Sequence, residues 1–137
     1  MAPTLHCGGR SEVARKLVEK TRNGGTWSEA KYWGAVRSHL RRGFRYWVPI
    51  SQVKMAARRP NQSSNRRLKW EFQCSSCLHW FPDKEIQVDH ITPVGSLKCS
   101  ADLAGFLERL TPEEGFQVMC KPCHQNKTNE EREKCGS

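Results

Sequence analysis

Apolar residues at Val13, Leu17 and Val18 fall at the spacing of a helix with one buried stripe, predicting helix over Ser11–Arg22. Asn23-Gly24-Gly25 accept the left-handed conformation found beyond helix ends and stop it. Thr26 opens a second helix, with Glu29 three residues on as a capping box, and this helix runs to about Arg42. Trp33, Val36 and Leu40 recur along it at helical spacing, while Arg37, Arg41 and Arg45 stand four apart on another face. One side packs and the other is cationic. Pro49 suits the first turn of a third helix, Ile50 to Arg59, which Pro60 ends. Pro60–Arg67 (PNQSSNRR) has the composition of a linker. Beyond it the pattern shortens. Strands are predicted at Lys69–Gln73, Glu85–Val88 and Phe116–Met119. Ser100 can cap a helix carrying Leu103, Phe106, Leu107 and Leu110, and Thr111-Pro112-Glu113-Glu114 opens a single turn. From Pro122 little interrupts a helix until Gly136, and no internal repeat is present. The fold class is α+β.

Length and charge sharpen this division. The 137 residues suffice for one substantial core but not for two large ones. The segments are a flexible tail at 1–10, a helical basic region at 11–59, a linker at 60–68 and a Cys/His-rich domain at 69–137. The net charge is +9, and it is unevenly spread: Ala30–Trp70 holds eleven basic residues and no acidic one, whereas residues 71–137 sum to −4. A solvated face mixes signs, because like charges repel; a long stretch of one sign fits a polyanionic partner, nucleic acid first. No run is long and apolar enough for a membrane span or a signal peptide, so the expectation is an intracellular protein with no membrane partner.

Seven cysteines in such a chain favour metal before disulfides. Cys74-x2-Cys77 and Cys120-x2-Cys123 form two knuckles. A two-residue gap lets both thiolates of a knuckle reach one tetrahedral ion, and two knuckles complete a closed, structural zinc site. That ion supplies folding free energy to a polar chain, whose mean hydropathy is −0.75. Cys7, Cys99 and Cys135 have no partner at ligand spacing and read as free thiols.

Asp89-His90 follows a predicted strand, and His124 comes directly after the last knuckle cysteine. A carboxylate and an imidazole from two elements fixed by a zinc clamp make an open, hard-leaning metal site. His90 would face away from it, because neighbouring strand residues point to opposite sides. Phosphodiester hydrolysis asks for such a set. An imidazole takes a proton from water near neutral pH, and a cation neutralises charge on the phosphate. At these residues the sequence resembles a known family. Residues 69–131 are similar to the HNH (ββα-metal) nuclease domain with a four-cysteine zinc site, through CSSC, VDHITPVG and FQVMCKPCHQNKT. The whole chain, with RSHLRRGFRYWVP upstream, resembles free-standing HNH endonucleases of tailed phages.

The resemblance implies that His90 is the general base and that Asp89 and His124 bind the catalytic Mg²⁺ or Mn²⁺. It makes Lys127 a candidate phosphate contact, its alternative being a solvated helix residue. It implies activity in the cytoplasm of a bacterial host. One departure stands out: the family's middle Asn, which holds the loop carrying the base, falls at Gly115, and Gln117 or Asn126 are the candidates to replace it. The expected function is a DNA endonuclease, acting as monomer or homodimer on double-stranded DNA and nicking one strand per active site. Arg37, Arg41, Arg45, Arg58, Arg59, Arg66 and Arg67 would grip phosphates. The alternatives are a noncatalytic zinc-stabilised DNA-binding protein and an RNA-binding zinc module.

Overall fold

The computed structural model describes residues 17–136, with the side chains of 135 and 136 left aside. The expected tail at 1–10 and the start of the first predicted helix lie outside the described residues. The architecture is α+β, with helices and small antiparallel sheets in two compact units. One unit comprises the described residues through Arg45 together with Pro93–Thr111. The other comprises Tyr46–Thr92 and the described residues from Pro112 on.

The first element described in the first unit is a hairpin. Strands β1 (Lys20–Arg22) and β2 (Trp27–Ser28) pair antiparallel, where the sequence predicts the end of a helix. Asn23, Gly24 and Gly25 all take positive φ, and the Gly25 and Thr26 N–H groups both donate to Arg22 O. Left-handed residues in succession reverse the chain within a turn, so the same residues that can end a helix here close a hairpin. Helix α1 (Glu29–Gly43) follows, capped by Ser28 rather than Thr26, the Ser28 hydroxyl accepting from Lys31 N at 3.1 Å. Glu29 does not close a capping box. Its carboxylate accepts from Arg22 Nε at 2.7 Å and Trp33 Nε1 at 3.1 Å, and the hydrogen bond from Arg22 holds it below the usual carboxylate range. The core of this unit is Trp33, Val94, Leu97, Phe106 and Leu110, flanked by Val36, Leu40 and Leu103. Thus the apolar stripe of α1 meets helix α3 (Leu103–Leu110), which a 3₁₀ turn at Ser100–Asp102 leads into.

The second unit starts with α2 (Val48–Ala56), with Pro49 in its first turn. It ends earlier than the predicted Arg59, because Arg58–Pro60 forms strand β3. Strand β3 pairs with β4 (Trp70–Gln73), which pairs with β5 (Trp80–Phe81). Residues 60–68, expected as a linker, therefore span the end of β3 and the loop of a hairpin. Asn61 N donates to Lys69 O, while Asn61 and Asn65 side chains bind the loop backbone at Ser63, Asn65 and Arg67. Strand β6 (Ile86–His90) pairs antiparallel with β7 (Phe116–Cys120), and α4 (Lys121–Gly136) follows at once. Thr111–Glu114 forms bends and no helical turn. The core here is Phe72, Ile86 and Val118, with a second cluster of Cys74, Met119 and Cys120 beside it.

Candidate functional site

The knuckle Cys74–Cys77 is the turn between β4 and β5. Leu78 N donates to Cys74 O at 2.9 Å, Cys74 N donates to His79 O at 3.0 Å, and Leu78 takes positive φ, so the chain folds sharply round the sulfurs. Ser75 N donates to Val118 O at 2.8 Å and stitches this turn to β7. Cys120 ends β7 and Cys123 lies in the first turn of α4, so the second knuckle is a strand-to-helix junction. All four Sγ atoms lie within 4.8 Å of one another, and Cys77 Sγ is 3.9 Å from Cys120 Sγ. A tetrahedral zinc with bonds of about 2.3 Å sets sulfurs roughly 3.8 Å apart, so the donor set fits that ion. This is the only group of three or more metal-ligating side chains among the described residues.

The thiols are not equivalent. Burial pushes Cys74 up, but backbone N–H groups of Cys120, Cys77 and Ser76 outweigh it and bring its pKa down to about 6. Burial drives Cys120 the other way, to about 12, helped by the neighbouring thiols against the N–H of Cys123. Cys77 moves up too: the N–H of His79 and the Cys120 thiol oppose the shift, and desolvation with the Cys74 and Cys123 thiols prevails. Four close thiols cannot all ionise unaided; a divalent cation removes that conflict. Cys99 is disulfide-bonded, which corrects its reading as a free thiol. Cys7 and the Cys135 side chain are not among the described residues.

The register of β6 against β7 sets the second group. Asp89 stands opposite Gln117, and His90 opposite Phe116, so the two neighbours face opposite sides of the ribbon. Helix α4 brings His124 to the Asp89 side, with Nε2 at 3.3 Å from Oδ1. Lys127, one turn on, reaches Asp89 Oδ2 and His90 O, both at 2.5 Å, and Glu131 at 3.3 Å. Asp89 is largely buried, its side chain 14% exposed. Gln117 donates from Nε2 to Asp89 Oδ2 at 3.3 Å. The half-buried His90 ring lies 4.7 Å from the Phe116 ring, tilted at 54°. Gly115 occupies the position of the expected Asn, and its own carbonyl accepts from Ile91 N at 2.8 Å, tying down the backbone just past His90. Its φ of +134° is one that residues with a Cβ avoid.

The basic residues divide. Arg37, Arg41, Arg45, Arg66 and Arg67 are exposed. The Arg41 side chain is exposed overall, but its guanidinium lies 5.9 Å from the Phe106 ring centroid, and partial desolvation there, followed by the charge of Arg37, lowers its pKa. Arg58 stacks on Trp70 at 3.9 Å. Arg59 is occupied internally, paired with buried Glu71 at 2.6 Å and stacked on Trp80 at 3.8 Å. Sequence reasoning named Gln117 only as a stand-in for the Asn at Gly115, not as a partner of Asp89, and missed Ser75 and Glu131. Only strand register and helix phase bring Gln117 to Asp89, Ser75 to Gln117 and Glu131 to Lys127. No protein-family model matches the chain, and no curated protein or solved structure is significantly similar to it. Among the described residues, no helix is long and apolar enough to cross a membrane.

Proposed function

We propose that this chain is a metal-dependent DNA endonuclease of the HNH type. The observation that carries the reading is the approach of His124 Nε2 to within 3.3 Å of Asp89 Oδ1, beside a four-cysteine cluster. Neighbouring donors on an octahedral ion with bonds of about 2.1 Å stand roughly 3.0 Å apart, so this pair suits Mg²⁺ or Mn²⁺. The order β6, β7, α4 agrees with the ββα unit that the resemblance implies. A bound divalent ion would supply positive charge to the scissile phosphate and the leaving 3′ oxygen. Asp89 and His124 hold it, and His90 accepts the proton of the attacking water. Exposed arginines of α1 and of the β3–β4 hairpin loop supply phosphate contacts on double-stranded DNA, with Arg59 withdrawn from that role by Glu71. One site per chain cuts one strand; a double-strand break takes a homodimer or two events.

Two observations favour a second reading, a noncatalytic zinc-stabilised DNA-binding protein. The Lys127 ammonium already neutralises Asp89, and the His90 ring packs on Phe116 across the ribbon from Asp89. Plasmid cleavage separates the two. Wild type with Mg²⁺ or Mn²⁺ should nick supercoiled DNA, and His90→Ala should abolish nicking with zinc content and DNA binding intact. A wild type that binds DNA yet cuts with no divalent ion tried would establish the second reading.

A further inference from the structure

We infer that Ser75 and Gln117 form a positioning relay that turns the Asp89 carboxylate so that only Oδ1 is presented, beside His124, to a divalent cation. The inference rests on the reading of Asp89 and His124 as an ion-binding pair. Each carboxylate oxygen can accept two hydrogen bonds. Both places on Oδ2 are filled, by Lys127 Nζ and by Gln117 Nε2. Oδ1 faces His124 Nε2. An ion seated between Oδ1 and that nitrogen gains one oxygen from Asp89, because turning the carboxylate to offer both would break the Gln117 and Lys127 bonds.

The direction of the Gln117 amide decides whether this works. A reversed amide would set its oxygen against Asp89, repelling the carboxylate. The acceptor-only Asp89 carboxylate and Met119 Sδ fix the amide direction, and Ser75 anchors its far end. The Ser75 hydroxyl donates to Gln117 Oε1 at 3.2 Å, and the amide nitrogen also meets Met119 Sδ at 3.4 Å, so one end accepts and the other donates. Ser75 lies between the two cysteines of the first knuckle, and its backbone N–H is bound to Val118 O. The turn that carries the first knuckle thereby steadies the orientation of a carboxylate on a different strand pair. Cross-strand opposition of Asp89 and Gln117 supplies the remaining constraint.

Mn²⁺ binding, read from loss of the free-ion electron paramagnetic resonance signal, tests this without any cleavage assay. Outer partners of a metal ligand are worth roughly 10–100-fold in affinity. Gln117→Leu should weaken Mn²⁺ binding about 10-fold at that scale, with zinc content and thermal midpoint held. Ser75→Ala, at an exposed site, should weaken it in the same direction by less. Because Ser75 acts through Gln117, adding Ser75→Ala to Gln117→Leu should cost nothing more. Mn²⁺ affinity within about twofold of wild type for Gln117→Leu, or a Ser75→Ala loss that persists in full in the double variant, overturns the relay while leaving the ion pair standing. A wild type that takes up no Mn²⁺ overturns both.

Discussion

Zinc uptake should depend steeply on pH, with a slope that the thiol environments fix. Metal binds thiolates, so every cysteine still protonated must release its proton on uptake. Near pH 8, Cys74, with its pKa lowered to about 6, is already ionised. Cys120, raised to about 12, and Cys77, raised above the ordinary thiol value, both carry protons. At least two protons therefore leave on binding, and apparent affinity rises by at least ~100-fold per pH unit in this range. Below about pH 6 Cys74 also holds its proton, and the slope steepens to at least ~1,000-fold per unit. The sign is fixed: acid releases the ion, base retains it. Competition against a chromophoric chelator across pH 6.5–8.5, corrected for the chelator's own protonation, gives the slope. Calorimetry in buffers of different ionisation enthalpy counts the protons directly. Release of fewer than two protons at pH 8 would refute the argument from burial and neighbouring thiols.

Phe106→Ala removes a fully buried ring from the Trp33 core and should cost roughly 3–5 kcal/mol in a denaturant titration. Gly115→Ala should cost about 1–3 kcal/mol through backbone strain at positive φ, since an added methyl would meet only Pro112 at 3.5 Å; an unchanged midpoint would contradict this. Arg66→Ala with Arg67→Ala should lower the log–log salt slope of duplex binding by about 2, uniformly across sequences, as filter or anisotropy titrations would show. Arg59→Ala should instead lower stability, because it strips buried Glu71 of its partner.

The helices with a sustained apolar stripe were legible in the sequence: Trp33, Val36 and Leu40 do pack, as do Phe106 and Leu110. So were the two knuckles, because ligand spacing is a local constraint. The failures have a common cause. Asn23-Gly24-Gly25 is compatible with a helix end and with a hairpin, and only the pairing of Lys20 with Ser28 decides between them. Arg58–Pro60 looks like the tail of a helix and the start of a linker until β4 supplies a strand to pair with. Arg59 counted as one cation among several, although Glu71 across the ladder claims it. At Asp89 the sequence supplied the partner His124 but not Gln117, since the alternation of β7 says which residues share a face and not what stands opposite. The loss of a side chain at Gly115 was legible; the service of its carbonyl was not.

The excursion Pro93–Thr111, which leaves the ribbon after Thr92 and returns before β7, has a consequence for synthesis. A ribosome delivers α1 long before α3, so Trp33 emerges without Phe106 and Leu110 to cover it. The same delay separates Cys74 and Cys77 from Cys120 and Cys123. Neither half can mature while the nascent polypeptide is still short. Both must close late, nearly together, and no cut between them yields two fragments that each inherit a whole interior.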